Sequence, residues 1–251
     1  MPRSCEFFKK KSVSLYDKFK DMASIITSSI GKKLVQSISG AFLILFLLLH
    51  GTINFFSVID SFTGKFGAPD GLYQLGCDFM ALPVIKIMVP VLALGFLVHI
   101  LWGLWLSYGN IKARGGLKRY EVSSKAKADS WSAQNMLVLG LLVLLGVACH
   151  LSDFWAKMQL QEFLGRTAEN PYELLTATFG NWWICLLYLL WFAVIWLHLN
   201  HGFWSMFQTV GWNNMIWLKR LKVIGAIVAG LIIFLFVATA CNAFLQAHLW
   251  I

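Results

Sequence analysis

Five long runs of mostly apolar residues constrain the fold of this chain more than any other feature of its sequence. A helix rises about 1.5 Å per residue, so about 20 residues suffice to cross the roughly 30 Å hydrocarbon core of a bilayer. We therefore expect five membrane-spanning helices, over residues 34–59, 83–108, 134–154, 181–206 and 223–249. Pro90 lies inside the second helix and is a candidate position for a kink.

The composition agrees with a membrane protein. Of the 251 residues, 58% are hydrophobic and 13% are charged, against about 25% charged in an average soluble domain. The net charge of +9 comes from basic residues in the segments between apolar runs, which indicates membrane topology and not nucleic-acid binding. The five cysteines are scattered, with no CxxC pair and no zinc-type spacing. The expected fold class is all-α, a polytopic membrane protein with five transmembrane helices in a bundle.

The distribution of lysine and arginine predicts the orientation of the bundle. Residues 1–33 and the connections at 110–130 and 211–222 alternate onto one side and carry 17 of the 21 basic residues. The positive-inside rule then places the N-terminus in the cytoplasm and the C-terminus outside. We divide the chain into a basic cytoplasmic segment, 1–33, and a transmembrane domain, 34–251. The first segment lacks the apolar core of a cleavable signal, and either a helix on the membrane surface or a solvated arm is expected there.

Four of the apolar runs carry one histidine each, at a similar distance from the start of the run. His50, His99, His150 and His198 each lie 16 or 17 residues into their span, about 24 Å along the helix. Spans one and three run outward, so His50 and His150 should lie near the outer face. Spans two and four run inward, so His99 and His198 should lie near the cytoplasmic face. An ionisable side chain at such a depth is costly and marks a functional site.

Two histidines from different helices at one depth match the ligands of a six-coordinate haem, which has a neutral imidazole on each side of the iron. A single membrane histidine is more often explained by an interhelical hydrogen bond or a proton relay. Four histidines at two matched depths favour two bis-histidine haems, which would carry electrons across the membrane. The transmembrane domain is therefore predicted to be a cytochrome b.

Two further histidines are left over. His201 follows His198 by three residues and shares roughly its helix face, so it is an alternative ligand. Its other interpretations are a hydrogen bond to a haem propionate, to a quinone or to a neighbouring helix. His248 stands beside Trp250 and fits the belt of residues at the outer membrane interface.

Short motifs around the histidines carry a family resemblance. Each motif sets a glycine or a polar residue at a fixed distance from a histidine: Gln36-Ser37-x-x-Gly40 before His50-Gly51, His99-x-x-x-Gly103, Gly140 before His150, and His198-x-x-x-Gly202 before Gly211-Trp212. With this pattern, residues 30–250 resemble the dihaem cytochrome b membrane subunit of succinate dehydrogenase and fumarate reductase. The resemblance is to the five-helix, single-subunit form of anaerobic and related bacteria. The last motif favours His198 over His201 as the ligand.

What the resemblance implies is a quinone-reactive anchor, with several passes through the bacterial cytoplasmic (inner) membrane. Its partners would be an iron–sulfur subunit on the cytoplasmic side and, through that subunit, a flavoprotein that interconverts succinate and fumarate. A dimer of such heterotrimers is compatible with the resemblance. The chain itself should turn over neither succinate nor fumarate, because it has no Gly-rich phosphate loop and no arginine cluster outside the basic connections.

The resemblance also implies a role for individual residues. In the family's pairing, His99 and His198 hold a haem b proximal to the iron–sulfur subunit, and His50 and His150 hold a distal haem b. Gln36 and Ser37 resemble residues that hydrogen-bond a haem propionate. Trp131 and Gln134 stand near the equivalent place on the third span, although the spacing differs there. A low-potential quinone, menaquinone, is expected to react near the outer end, beside the distal haem.

Acidic residues depart from the family pattern. Some members carry a glutamate two residues before the fourth ligand, where it serves a transmembrane proton path, and this chain has Trp196. No acidic residue occurs in the core of a span, so we do not expect that path here. Asp60, Asp70 and Asp78 are candidates for acids of an outer quinol site, with solvated charges or helix caps as the alternative.

Two alternative functions are considered. The cytochrome b subunit of a formate dehydrogenase or a hydrogenase also uses bis-histidine haems, but its histidines are placed differently along the helices. A haem-free transporter or anchor is the alternative from another class. Transporters tend to have internal repeats and charges within the membrane, and neither is visible in this sequence.

Overall fold

The computed structural model describes residues 28–113, 115, 131–212 and 214–249. Nine α-helices and no strand occur in these ranges: α1 (Ser29–Thr63), α2 (Leu72–Met80), α3 (Pro83–Ala113), α4 (Trp131–Gln134), α5 (Met136–His150), α6 (Gln159–Phe163), α7 (Pro171–Phe179), α8 (Trp182–Thr209) and α9 (Met215–Leu249). A π-helical segment, Leu151–Trp155, continues α5. Most of the basic segment 1–33, up to residue 27, lies outside the described ranges, and so does its predicted surface helix.

Five of the helices are long and apolar enough to cross a membrane, which confirms the predicted all-α fold with five candidate transmembrane helices. These are α1, α3, α5 with its π-helical end, α8 and α9. α3 runs as one helix through Pro90.

The helices extend beyond the predicted spans. α9 begins at Met215, so the basic residues of the predicted 211–222 connection lie mostly on a helix. At the start of α9, the side chain of Asn214 accepts a hydrogen bond from the amide of Trp217 at 2.9 Å.

Side-chain caps explain where several helices begin. Ser28 Oγ accepts the amide of Gly31 at 3.0 Å, so α1 begins before residue 34, where the transmembrane domain was predicted to start. Asn170 accepts the amide of Tyr172 at 3.0 Å, and Pro171 occupies the first position of α7. An asparagine before proline is a helix-start signal that the sequence already contains.

Four long helices form a ring, and the fifth packs outside it. α1 packs against α3 and α8, and α5 packs against α8 and more loosely against α3. α1 is thus diagonal to α5, and α3 is diagonal to α8. We call the end of the bundle where α1, α5 and α9 begin the basic end. The opposite end, which carries α2, α6 and α7, is called the loop end.

α9 holds α1 and α8 together from outside the ring, and its interface with α8 is the most extensive in the described chain. Its buried face is a stripe at helical spacing, made of Gly225, Ala229, Ile232, Phe236, Ala240 and Ala243. Small residues at such positions let helix backbones approach closely. Gly225, for example, lies directly against the Phe203 ring of α8.

The outer surfaces of α3 and α5 face away from the core. No residue of α3 is buried, and Leu139 is the only buried residue between Met136 and His150. Their exposed side chains are large and apolar, including Leu94, Leu97 and Leu145. Such surfaces suit contact with lipid, where no driving force buries apolar side chains.

A buried carboxylate organises the loop end. Asp60, fully buried near the end of α1, accepts the amides of Leu72 and Tyr73 at 2.8 Å each and so caps α2. The hydroxyl of Tyr172, on α7, donates to the same carboxylate at 2.7 Å. Burial, with the hydrogen bond to Asp60, raises the pKa of Tyr172 above its ordinary value, so the phenol stays protonated and remains a donor. A separate ion pair, Lys86–Glu162, joins α3 to α6 at 3.0 Å.

Replacing Asp60 by alanine is expected to lower the free energy of unfolding by about 2 kcal/mol or more, because two amides and a phenol lose their acceptor where water does not replace it. Unfolding in detergent micelles, followed by circular dichroism, measures the change. The control is Asp70→Ala, which removes an exposed carboxylate paired only with Lys65 and should leave the melting temperature unchanged. Equal effects of the two substitutions would contradict the capping role.

Candidate haem-binding site

The four predicted histidines form two pairs, each across a diagonal of the ring. His50 on α1 faces His150 on α5, with ring centroids 5.8 Å apart. His99 on α3 faces His198 on α8, with ring centroids 6.4 Å apart. The structure thus brings together the residues that the depth argument paired. That these pairs hold haem stays a prediction.

Glycines flank the His99–His198 pair on the other two helices of the ring. A Cβ atom at Gly40 of α1 would lie 3.2 Å from Cε1 of His99, and one at Gly140 of α5 would lie 3.7 Å from Cε1 of His198. At these two positions no side chain lies between the helix backbone and the imidazole. A planar group bound between the two imidazoles would extend toward these two glycines.

The same two glycines fix the distance between the pairs. His50 follows Gly40 by ten residues on α1, and His150 follows Gly140 by ten residues on α5. At about 1.5 Å per residue, both helices separate the two pairs by about 15 Å along the bundle. The pair on α3 and α8 lies toward the basic end, and the pair on α1 and α5 lies toward the loop end.

Polar side chains of α1 surround His99. Nε2 of Gln36 lies 3.3 Å from each ring nitrogen of His99, and Oγ of Ser39 lies 3.1 Å from its Nδ1. Gln36 also lies against Gly103 of α3, where a Cβ would be 3.3 Å from its Nε2. The glycine at 103 therefore lets the Gln36 amide reach between α1 and α3.

Four buried polar side-chain atoms have no hydrogen-bond partner in the part of the chain that the structure describes, and all belong to the basic-end half of the bundle. They are Oε1 of Gln36, Nε1 of Trp102, Nδ1 of His198 and Nδ1 of His201. Such atoms are uncommon in folded proteins because each costs the free energy of its lost hydration. These atoms lie around one histidine pair and are candidate hydrogen-bond partners of a polar ligand.

Aromatic rings surround the loop-end pair. Phe46 stacks on His50, with centroids 5.3 Å apart and an interplanar angle of 15°. Trp191 and Tyr188, both on α8, contact His150 at centroid distances of 6.0 and 6.3 Å. The Trp191 indole lies over Gly146 of α5, and its Nε1 donates to the carbonyl of Val143 at 3.2 Å. Nδ2 of Asn54, on α1, also lies 3.4 Å from Nδ1 of His50. This pair is therefore enclosed by aromatic rings and has a polar neighbour on its own helix.

A carboxylate approaches the loop-end pair through the π-helical segment. Asp153 follows His150 by three residues and lies within that segment, where the amide of Ala156 bonds to the carbonyl of Leu151 at 2.8 Å. The hydroxyl of Tyr188, whose ring contacts His150, donates to Asp153 at 2.8 Å. Segments of π-helix are frequent at functional sites. Sequence analysis missed Asp153, although a carboxylate three residues from a candidate ligand was a visible signal.

The two predicted propionate residues differ in their positions. Gln36 lies beside His99, as described above. Ser37 instead donates to the carbonyl of Lys33, on its own helix, at 2.9 Å. Ser39, only 7% exposed, is the serine next to His99, and sequence analysis did not single it out. Its spacing of three residues from Gln36 places it on the same helix face.

Three remaining candidates have contacts of their own, and His201 lies one helical turn from His198. Trp131 and Gln134 belong to the short helix α4, and Gln134 lines a cleft of about 370 Å³ between α4–α5 and the end of α3. Nδ1 of His248 lies 2.8 Å from the carbonyl of Phe244, on the same exposed helix end. His201 contacts Trp204, with centroids 4.8 Å apart.

The acids suggested for an outer quinol site have other partners. Asp60 is the buried cap of α2 described above. Asp70 forms an exposed ion pair with Lys65, and Asp78 accepts the side-chain amide of Gln74 at 2.8 Å. All three thus match the alternative of caps and surface charges.

Among the described residues, no group of three or more His, Cys, Asp or Glu side chains converges as for a metal held by protein alone. A bis-histidine haem needs only two protein ligands, because the macrocycle supplies the other four. A bond of about 2 Å from each imidazole nitrogen to a metal between them puts the ring centroids roughly 6 Å apart. The observed separations of 5.8 and 6.4 Å fit that requirement.

A scan against models of protein families, a search of curated proteins and a search of solved structures each find no match to this chain. The resemblance drawn from the histidine motifs therefore stays a prediction.

Replacing Gly146 by alanine is expected to destabilise the protein by about 1–3 kcal/mol, because the added methyl overlaps the Trp191 indole and breaks its hydrogen bond to Val143. Tryptophan fluorescence and thermal unfolding in micelles report the displacement and its cost. The matched control is Gly230→Ala on α9, where no atom lies within 4 Å. Since alanine favours a helix over glycine by roughly 0.5–1 kcal/mol, this control should be neutral or stabilising. Equal stability of the two variants would show that Trp191 does not depend on Gly146.

Proposed function

We propose that the chain is a dihaem cytochrome b, the membrane anchor of a succinate:quinone oxidoreductase. In this role it carries electrons between a quinone and an iron–sulfur subunit, in the direction of succinate oxidation or of fumarate reduction. The observation that carries the proposal is the geometry of the histidines: two imidazole pairs across the two diagonals of one four-helix ring, about 15 Å apart in depth.

The alternatives for buried histidines explain this arrangement less well. Hydrogen bonds between helices account for His99, which has Gln36 and Ser39 of α1 beside it, but not for the second imidazole across each diagonal. Two neutral imidazoles have little to gain from facing each other in an apolar bundle, where an unpaired polar atom is costly. A metal between them would give both a bond, and the glycines at 40 and 140 keep side chains off two sides of the basic-end pair.

Two haems b would supply two one-electron redox centres at two depths. The chain's own residues provide the imidazole ligands, hold them on rigid helices and keep water away. Aromatic rings of Phe46, Trp191 and Tyr188 enclose the loop-end pair, and Asn54 lies beside His50. Gln36 and Ser39 make the basic-end pair polar. Because polarity and hydrogen bonding around a haem set its potential, the two sites should differ in potential.

The quinone is proposed to react at the loop end, and menaquinone is the proposed substrate. The support is the pair formed by Asp153 and Tyr188, which lies beside His150. Oxidation of a quinol releases two electrons and two protons, so a site for it benefits from a proton acceptor next to the electron acceptor. The carboxylate of Asp153 is placed to receive a proton, while Asp60, Asp70 and Asp78 have the other partners named above.

The basic end is proposed to face the cytoplasm and to bind the iron–sulfur subunit, which carries the flavoprotein. Its support is the bias of lysine and arginine toward the connections at that end. The His99–His198 pair would then be the one nearer the partner. The chain would lie in the bacterial cytoplasmic membrane and have no turnover of succinate or fumarate by itself.

The purified protein is expected to contain two b-type haems, measured by reduced-minus-oxidised absorbance and haem quantitation. Each of His50→Ala, His99→Ala, His150→Ala and His198→Ala should lose one haem, because one missing ligand opens the iron site. The two variants of one histidine pair should leave the same haem and therefore the same spectrum. Variants of the other pair should leave the other haem, with a different spectrum. The double variant His99→Ala/His198→Ala should still hold one haem.

His248→Ala is the matched control, since that ring bonds to its own helix and both haems should remain. His201→Ala should likewise keep both haems, because His198 is the residue opposite His99. A wild-type protein free of haem would refute the proposal and favour the transporter or plain anchor. Loss of one haem from His201→Ala, with both retained in His198→Ala, would transfer the ligand role to His201.

Affinity purification of the tagged chain from mild detergent extracts of its native membranes is expected to recover a flavin-containing subunit and an iron–sulfur subunit. The recovered complex should reduce fumarate with a reduced naphthoquinone, or reduce the quinone with succinate, and the isolated chain should do neither. A molybdenum- or nickel-containing partner with two haems present would instead favour the formate dehydrogenase or hydrogenase alternative.

A further inference from the structure

Two nitrogen donors without partners lie one helical turn from the basic-end histidines. Trp102 follows His99 by three residues on α3, and His201 follows His198 by three residues on α8. Because both helices run toward the basic end, each residue lies about 4.5 Å closer to that end than the histidine before it. Nε1 of Trp102 and Nδ1 of His201 are both buried, and neither has a hydrogen-bond partner in the described chain. The indole nitrogen can only donate, so its missing partner is an acceptor.

The described chain offers no carboxylate at this end. Its acidic residues all lie toward the loop end: Asp60, Asp70, Asp78, Asp153, Glu162, Glu169 and Glu173. Positive charge is close by instead. The Lys222 ammonium lies 4.8 Å above the Trp204 ring, and Trp204 contacts His201. Nitrogens without partners, next to a cation and far from every acid that the structure describes, suit an anionic ligand.

We propose that Trp102 and His201 bind the carboxylates of the haem at the basic end, one from each side of the bundle. This inference rests on the proposed function and assigns two residues to that site. A haem between His99 and His198 carries two propionates on one edge of its plane. Trp102 and His201, one helical turn from the two ligands toward the basic end, would hold those carboxylates. Gln36, on α1, is not a third donor: its unpartnered atom is the acceptor Oε1, and its Nε2 lies 3.3 Å from the ring nitrogens of His99.

The test is a redox titration of the haem absorbance in wild type, Trp102→Phe, His201→Leu and the double variant. Both haems should remain. The midpoint potential of the haem that is lost in His99→Ala should fall in each single variant and fall further in the double variant, while the other haem is unchanged. The physical reason is that N–H donors offset carboxylate charge, and unshielded negative charge near the iron favours its oxidised state.

Two controls separate hydrogen bonding from packing. Trp105→Phe changes a partly exposed tryptophan on α3 that lies under Lys32, and it should leave both potentials at the wild-type value. His201→Asn keeps an N–H donor and should shift the potential less than His201→Leu does. If the double variant releases the basic-end haem and keeps the other, the donors are needed for binding, which also supports the inference.

Three results would overturn the inference. Unchanged potentials in the double variant, with two haems present, would remove the roles of Trp102 and His201 and leave the proposed function standing. Equal shifts in His201→Asn and His201→Leu would assign the effect to packing. A wild-type chain without haem would refute the proposed function itself, and this inference with it.

Discussion

The bundle is arranged around four neutral imidazoles, and placing them among apolar side chains costs free energy. Each of the four ring histidines loses its hydration on entering the bundle, and the free energy must be recovered by a bond within it. The helices bring the rings together across the diagonals, at 5.8 and 6.4 Å, where a group bound between two imidazoles would bond to both. Three features allow the imidazoles to approach each other: the antiparallel ring, the glycines beside the basic-end pair and the position of α9 outside the ring.

The sequence predicts much of this arrangement at the level of whole helices. Apolar runs of sufficient length predict five helices, and their alternating directions convert equal distances along the chain into two depths. The diagonal relation of the helices is not predictable in this way, because it depends on packing. It follows from the small residues of α9, such as Ala229 and Ala240, which bring α1 and α8 together.

The details of the site were less accessible from sequence than its ligands. Ser39 and Asp153 act through contacts with other helices, and a helix face alone does not reveal which neighbour it meets. The π-helical segment also changes the phase of α5, so a regular helical wheel misplaces Asp153. The cap role of Asp60 depends on α2 and α7, two short helices in connections that carry little periodic signal.

The helices of the ring differ in how extensively they pack, and this difference decides where a large flat molecule would enter. α8 is fixed on three sides by α1, α5 and α9, whereas α3 has no buried residue and only a loose contact with α5. Separating α3 from α5 breaks few contacts, while separating α8 from α9 dismantles the core. Among the described residues, the weakest interface of the ring is therefore that between α3 and α5, and a guest dissolved in the lipid would enter there sideways, without unfolding of the chain.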